Sequence, residues 1–214
     1  MNRYYNVHTH NIDAPKDYRV DILSVRFDGD EVSVPAEGFF SVGIHPYDVE
    51  KWNGNEKWLV ELEKVASHCR CVAIGECGID MRMGNVEVQK QLFRGQGEIA
   101  SKLELPLIIH AVRSEGEILG VLRAFDLVSV FHSYARNSVG LKSLERVYFS
   151  LSGRNVPYSD GVAIDQVLFE SDEECASVVE DVYREFADRR DISVEELREV
   201  VEKNVFEVFK KMRH

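Results

Sequence analysis

Cysteine is scarce in this chain of 214 residues, which has four, at positions 69, 71, 77 and 175. Four are too few for a disulfide scaffold at this length. The Cys69-x-Cys71 pair also lacks the second pair that would complete a zinc site. We therefore expect free thiols.

Long apolar runs and an excess of positive charge are also missing. No segment approaches the ~20 apolar residues that span a bilayer, and residues 1–5 lack the apolar core of a signal peptide. The 26 Lys and Arg residues face 37 Asp and Glu residues, a net charge of −11. This charge disfavours an anionic membrane or a general nucleic-acid coat as main partner, but it permits a phosphate held locally. We expect a soluble, cytoplasmic protein with no membrane partner, and a monomer is slightly favoured.

Short apolar runs, by contrast, recur along the whole chain. They cover residues 4–10, 20–25, 39–44, 72–74, 106–109, 127–131, 147–151 and 167–169. Their near-continuous apolarity is typical of strands buried on both faces of a parallel sheet. Helical spacing of apolar residues appears in 58–66, 175–186 and 197–212, and Ser193-x-x-Glu196 is a capping box for the last of these helices.

Strands that alternate with helices predict an α/β fold, a shortened (β/α)₈ TIM barrel that forms a single domain over residues 1–214. The gaps at 11–19 and 27–38 are too short for full crossover helices, so we expect one or two early helices to be missing or reduced. The final helix should close the ring against the first strand. A doubly wound open sheet is the main alternative.

Polar residues mark the ends of most of these strands. His8 and His10 lie two residues apart, so both point to one face and can bind one metal ion. In a parallel barrel the carboxyl ends of all strands converge on one mouth. The other polar residues at strand ends are His45, Glu76, His110, His132 and Asp172.

Each of these residues also has a local explanation. His8 and His10 could simply end a strand, and His45 could belong to a turn before a proline. Glu76 could be a loop carboxylate. His110 and His132 could be core histidines, and Asp172 could favour a helix dipole inside a Ser171-x-x-Glu174 capping box. A shared site explains all seven residues at once.

Four of the histidines and the two carboxylates suit a pair of divalent ions. Imidazole and carboxylate without thiolate fit Zn²⁺, Mn²⁺ or Mg²⁺, and the sequence does not select among them. Two adjacent ions need a bridging ligand, for which Glu76 is the candidate. Such a pair favours hydrolytic chemistry.

The motifs along the chain resemble those of the TatD family of metal-dependent hydrolases, in the amidohydrolase superfamily. They are Val7-His8-Thr9-His10, Gly43-Ile44-His45-Pro46, Gly75-Glu76-Cys77-Gly78-Ile79-Asp80, Gln89-x-x-x-Phe93-x-x-Gln96, Leu105-Pro106-Leu107-Ile108-Ile109-His110, Phe131-His132 and Glu170-Ser171-Asp172. The resemblance implies metal ligands at His8, His10, Glu76, His110, His132 and Asp172. A glutamate at position 76, instead of a carboxylated lysine, favours the nuclease branch. The chain departs from the family pattern at Tyr47, in the spacing of Arg113 after His110, and after Asp172.

The resulting hypothesis is a phosphodiesterase or deoxyribonuclease that uses two divalent metal ions to cleave DNA ends or single strands. Asp172 would accept a proton from the attacking water. Phosphate, leaving-group or base contacts are predicted at His45, Arg113, Tyr134 and Arg136. Hydrolysis of an amide, lactone or other ester is the enzymatic alternative, and a metal-holding interaction protein without turnover is the second.

Overall fold

In the computed structural model of the protein, eight parallel strands follow one another around a single sheet in the order of the sequence. The structure describes residues 3–13, 16–28, 32–52, 54, 57–134, 141 and 146–213. The strands are β1 (Tyr4–Thr9), β2 (Arg19–Arg26), β3 (Phe39–Gly43), β4 (Cys71–Asp80), β5 (Leu107–Val112), β6 (Ser129–His132), β7 (Val147–Leu151) and β8 (Val167–Phe169).

The ring closes between β1 and the segment that follows β8. Thr9 and Asp172 form a parallel bridge. The Asp172 N–H donates to the His8 carbonyl at 3.1 Å, and the His10 N–H donates to the Asp172 carbonyl at 2.9 Å. Sequential order and closure confirm the predicted (β/α)₈ barrel and exclude the doubly wound sheet.

Below this bridge, Tyr183 completes the seam. Its hydroxyl donates to the Tyr5 carbonyl at 3.2 Å and accepts from the Tyr5 N–H at 3.1 Å. Because β8 is short, it does not pair with the N–H and carbonyl of Tyr5. The side chain of Tyr183, on a helix, bonds to both groups instead. Tyr183 belongs to the helix Val179–Arg190 and not to the final helix that was expected to close the ring. The final helix, Val194–Val208, also contacts the first strand, since its Glu202 accepts a hydrogen bond from the Tyr5 hydroxyl at 2.7 Å.

The α-helices cover the outside of the barrel unevenly. They are α1 (Trp58–Ala66), α2 (Val86–Leu103), α3 (Glu115–Leu122), α4 (Val179–Arg190) and α5 (Val194–Val208). As predicted, the described residues between β1 and β2, and between β2 and β3, contain no α-helix. The same holds for the described residues after β6 and after β7, which the sequence analysis did not anticipate. The described residues also include no helix with the length and apolarity needed to cross a membrane.

Helix boundaries agree with the sequence pattern except at two places. The Ser193–Glu196 capping box opens α5, but α5 ends at Val208, and a short 3₁₀ helix, Lys210–Arg213, follows. Ser171 caps no helix, since α4 begins only at Val179 after a 3₁₀ turn. The explanation of Asp172 as part of a capping box is therefore wrong.

The strand ends also differ from the prediction. β4 continues four residues beyond Glu76, and β5 continues two residues beyond His110, so both side chains project from within a strand. Their positions lie inside the mouth of the barrel instead of on its rim.

Candidate metal centre

Glu76 lies at the centre of the mouth, and one of its oxygens faces the histidines of β1. Glu76 Oε2 is 3.4 Å from Nε2 of His8 and 3.4 Å from Nε2 of His10. Asp172 lies on the same side, with its Oδ1 3.7 Å from His8 Nε2 and 3.9 Å from His10 Nε2. These four residues form the first half of the site.

The other oxygen of Glu76 faces three further histidines. Glu76 Oε1 is 2.6 Å from Nδ1 of His110, 2.9 Å from Nε2 of His132 and 3.1 Å from Nε2 of His45. These three histidines and the same carboxylate form the second half. Glu76 is thus the residue shared by both halves, as expected of a bridging ligand.

His110 and His132 each have a carboxylate behind the ring. His110 Nε2 is 3.3 Å from Asp80 Oδ2, and His132 Nδ1 is 3.3 Å from Glu170 Oε1. An acceptor on the far ring nitrogen holds a proton there, so a metal ion can replace the proton on the near nitrogen. This is the arrangement typical of metal-binding histidines.

His45 has the opposite arrangement. Its Nδ1 accepts a hydrogen bond from the Tyr47 backbone N–H at 3.1 Å. Burial lowers the pKa of His45, despite its contact with Glu76, and so favours the neutral ring. A neutral ring that accepts at Nδ1 carries its proton on Nε2, so His45 presents a donor toward Glu76. The structure thus brings His45 into the cluster as a hydrogen-bond donor.

The donor set fits divalent cations on two observations. Both ring nitrogens of His8 are buried without a hydrogen-bond partner among the described residues. The buried cluster also concentrates carboxylates whose charge a cation would balance. Groups of ligand atoms lying within 4.8 Å of one another include His8–His10–Glu76, His8–His132–Asp172 and His45–Glu76–His110.

The electrostatics of the two carboxylates differ. Burial opposes ionisation of Glu76, but the positive charge of His132 and hydrogen bonds from His10 and His110 hold its pKa well below the usual value. For Asp172, burial and the negative charge of Glu170 raise the pKa. A carboxylate with a raised pKa is the better proton acceptor of the two.

Two glutamines of α2 hold the strand ends in place. The Gln96 side chain accepts from the Ile44 N–H at 2.7 Å and donates to the Ile44 carbonyl at 3.2 Å. The Gln89 side chain makes the same pair of bonds with Asp80, at 2.8 and 3.2 Å. Gln96 thereby fixes the backbone next to His45, and Gln89 fixes the residue that supports His110.

Gly78 allows β4 and β5 to approach closely at this level. Its φ is +141°, and a Cβ atom there would lie 2.2 Å from the His110 carbonyl oxygen. Any side chain at this position would push apart the strands that carry Glu76 and His110.

Of the predicted substrate contacts that the structure describes, His45 lies in the cluster around Glu76, and the other two lie beside that cluster. Arg113 and Tyr134 line a cleft of about 980 Å³ beside the second half of the site. The Tyr134 hydroxyl donates to Glu115 at 2.9 Å, and its ring stacks with Phe149. Arg136 lies outside the described residues.

Sequence reasoning did not assign site roles to Asp80, Glu170, Gln89 or Gln96. Glu170 stands two residues before Asp172, so strand alternation from a known site residue could have indicated it. The glutamines belong to a quoted motif, but nothing in their spacing shows that they bind backbone of other elements.

The family model described as TatD related DNase matches residues 31–210. The chain belongs to the TatD family. The match begins after β1, so the positions of His8 and His10 rest on the structure. The resemblance to the TatD family is confirmed, and the cluster of His, Glu and Asp side chains agrees with binding of divalent metal.

Curated TatD relatives align over different shares of the chain. A "3'-5' ssDNA/RNA exonuclease TatD" from Erwinia billingiae is 31% identical over 90 residues, which is 41% of this chain and 34% of that protein. The match thus spans about a third of the length of that relative. The "uncharacterized metal-dependent hydrolase YabD" of Bacillus subtilis is 23% identical over 202 residues, 80% of this chain and 77% of that protein.

Solved structures of TatD proteins share the fold. YJJV, a TatD homologue from Escherichia coli k12, superposes with a TM-score of 0.79 at 16% identity, over 98% of both chains. A hydrolase of the TatD family from Entamoeba histolytica gives a TM-score of 0.77 at 13% identity, over 97% of this chain and 98% of that one.

Proposed function

We propose that the protein is a phosphodiesterase that hydrolyses nucleic-acid ends or single strands with two divalent metal ions. The strongest support is the orientation of the Glu76 carboxylate, whose two oxygens face two separate groups of histidines. A carboxylate shared in this way is what a pair of adjacent ions requires of its bridging ligand. The proposed ligands are His8, His10, Glu76, His110, His132 and Asp172.

The chemistry that such ions supply is polarisation of a phosphoryl oxygen and a lowered pKa of water. Asp172 is placed to accept the proton of the attacking water, because the barrel closure fixes its backbone and its carboxylate lies 3.7 Å from His8 Nε2 and 3.9 Å from His10 Nε2. When Glu76 holds the metal ions, the Nε2 proton of His45, which faces Glu76 in this structure, is donated to a phosphate or leaving-group oxygen instead. Glu170 and Asp80 hold His132 and His110 in their ring orientations.

The substrate class follows from local charge and from the named relatives. Arg113 and two other arginines line the cleft beside the site, although the chain as a whole carries a net charge of −11. Arginine forms paired hydrogen bonds with phosphate oxygens. Attraction to nucleic acid is thus confined to the mouth, and short ends or single strands fit a mouth better than a wide duplex does.

The decisive assay compares substrate classes with the same preparation. The full chain, loaded separately with Mg²⁺, Mn²⁺ or Zn²⁺, is given labelled single-stranded oligonucleotides beside a panel of amides and lactones. We expect cleavage of the oligonucleotides that chelators abolish and that rising salt weakens. Turnover of an amide or lactone without oligonucleotide cleavage would assign the site to that rival chemistry. Full metal occupancy without any turnover would favour the interaction-protein alternative.

A further inference from the structure

The cleft beside the second half of the site has a defined place in the barrel. It begins at Ala111 and Val112, directly after His110, and at Ser133, directly after His132. It then extends to the connection after β7, where Asn155 and Tyr158 line it. The cleft therefore continues outward from the histidines that face Glu76 Oε1.

The charge of the cleft contrasts with that of the chain. Among the described residues, its lining includes the guanidinium groups of Arg82, Arg113 and Arg154 and one carboxylate, Glu115. Arg82 is held by Asp80 and donates to the Tyr47 hydroxyl at 3.1 Å. The Arg154 side chain is 76% exposed, and its nearest carboxylate oxygen, on Glu174, lies 3.8 Å away. Such a group remains available for an anionic ligand.

Tyr158 is an exposed aromatic residue on a segment that is already ordered. The residue is 75% exposed, but Val156, two positions earlier, is completely buried. Asn155 ties the segment to β6 through a 3.1 Å bond to the Ser133 carbonyl, and Arg189 donates to the Pro157 carbonyl at 3.1 Å. Because the backbone that carries this exposed ring is already held in place, stacking of a flat ligand on the ring requires little ordering of the segment.

We infer that this cleft binds the nucleotide next to the bond that is cleaved. Arg113 and Arg154 hold the neighbouring phosphate, and Tyr158 stacks on a base. The strand therefore leaves the metal centre on the side of β5, β6 and β7. This inference rests on the proposed function, since it names the substrate segment that the same mouth holds. It assigns roles to Arg154 and Tyr158, which carry no recognisable sequence motif.

Binding without turnover tests the cleft separately from the chemistry. The full chain is titrated in EDTA with a short fluorescein-labelled oligothymidylate, and anisotropy is measured over a range of salt concentrations. The variants are Arg154→Gln and Tyr158→Ala. The matched controls are Arg184→Gln, an exposed arginine on α4, and Tyr158→Phe, which keeps the aromatic face. A parallel arm with Mn²⁺ measures hydrolysis of the same probe.

We expect Arg154→Gln to weaken binding and to reduce the magnitude of the slope of log K against log [salt] by about 0.7, the value for one single-strand phosphate contact. Tyr158→Ala should weaken binding at least about fivefold with the slope unchanged, because base stacking is not ionic. Both controls should match the parent protein.

Three results would overturn the inference: absence of binding by the parent protein in EDTA, parental affinity in both test variants, or an equal loss in Arg184→Gln, which would indicate a general charge effect. Binding that depends on Arg154 and Tyr158, without hydrolysis in the Mn²⁺ arm, would support the cleft while refuting the proposed chemistry.

Discussion

Asp172 combines two tasks in one residue. Its backbone closes the barrel through hydrogen bonds with His8 and His10, and its side chain lies near the rings of the same two histidines. The position of the carboxylate therefore depends on the backbone of the seam and not on a flexible loop. This placement suits a proton acceptor that must keep its distance to the reacting water.

Replacing Asp172 with asparagine should separate catalysis from folding. The amide has the same volume but cannot take up the proton, and a general base contributes ~10²–10⁴-fold to the rate. We expect a loss of that size in kcat for oligonucleotide cleavage, with an unchanged circular dichroism spectrum and unfolding midpoint. Activity within a few-fold of the parent protein would reject the role.

Glu170 is fully buried, and its second oxygen accepts a hydrogen bond from Ser150. Glu170→Gln should lower metal affinity about 10–100-fold, as loss of a supporting carboxylate behind a ligating histidine does. Competition with a chromophoric chelator measures this affinity. Exposed Glu61, on α1 and outside the cluster, provides the control Glu61→Gln. Equal affinities in the two variants would contradict the supporting role.

At the scale of elements, α2 fixes the ends of β3 and β4 relative to each other. Gln89 and Gln96 lie seven residues apart, two helical turns on one face. Gln89 bonds both backbone groups of Asp80 at the end of β4, and Gln96 bonds those of Ile44, directly after β3. A helix usually packs on a sheet through apolar contacts alone. Here it also sets the relative height of two strand ends that carry site residues.

Gln96→Ala should destabilise the fold because it leaves the buried N–H and carbonyl of Ile44 without partners. Each such loss costs about 1–3 kcal/mol. Equilibrium unfolding in urea measures the change, with Gln91→Ala, an exposed glutamine of the same helix, as the control. The control should stay within about 0.5 kcal/mol of the parent protein. A Gln96 variant as stable as the control would show that these bonds contribute nothing.

The sequence predicted the elements well and their ends less well, for a physical reason. Apolar runs located all eight strands, but the prediction of β4 stopped at residue 74, and the strand continues to Asp80. Glycines and two carboxylates interrupt the apolar run, because Glu76 and Asp80 face the site while Cys77 and Ile79 remain in the hydrophobic core. The described residues between β7 and β8 contain no α-helix, which was not predicted because that gap is long enough to hold one.

The clustering of these side chains was largely predictable for a related reason, while their binding of metal stays a prediction. Residues at strand ends converge in any parallel barrel, so their approximate positions follow from the fold. The supporting contacts of Asp80, Glu170 and Gln96 depend on side-chain geometry across elements far apart in sequence. Only the structure shows those contacts, and only the structure distinguishes His45 as a donor from His110 and His132.

At the scale of the whole molecule, the barrel closes along one seam, where Ser171 also bonds to the side chains of Asn6 and Thr9. One backbone bridge joins β1 to the segment after β8, and the Tyr183 hydroxyl forms hydrogen bonds with the backbone of Tyr5 below it.

Tyr183→Phe leaves two buried backbone groups unpaired and should lower the free energy of unfolding by about 2 kcal/mol or more. Tyr158→Phe, at an exposed ring, should change it by less than about 0.5 kcal/mol. Equal stability of the two variants in urea would show that the seam does not need the hydroxyl.

The central claim is that Glu76 joins two metal ions in the mouth of the barrel. Elemental analysis of the dialysed, metal-loaded full chain tests it most directly, with the parent protein and Glu76→Gln measured side by side. We predict two equivalents of divalent metal per parent chain, and fewer than one per chain in the folded variant, because both halves of the site lose their shared carboxylate. One equivalent or none in the parent protein, or two equivalents retained by Glu76→Gln, would contradict the account.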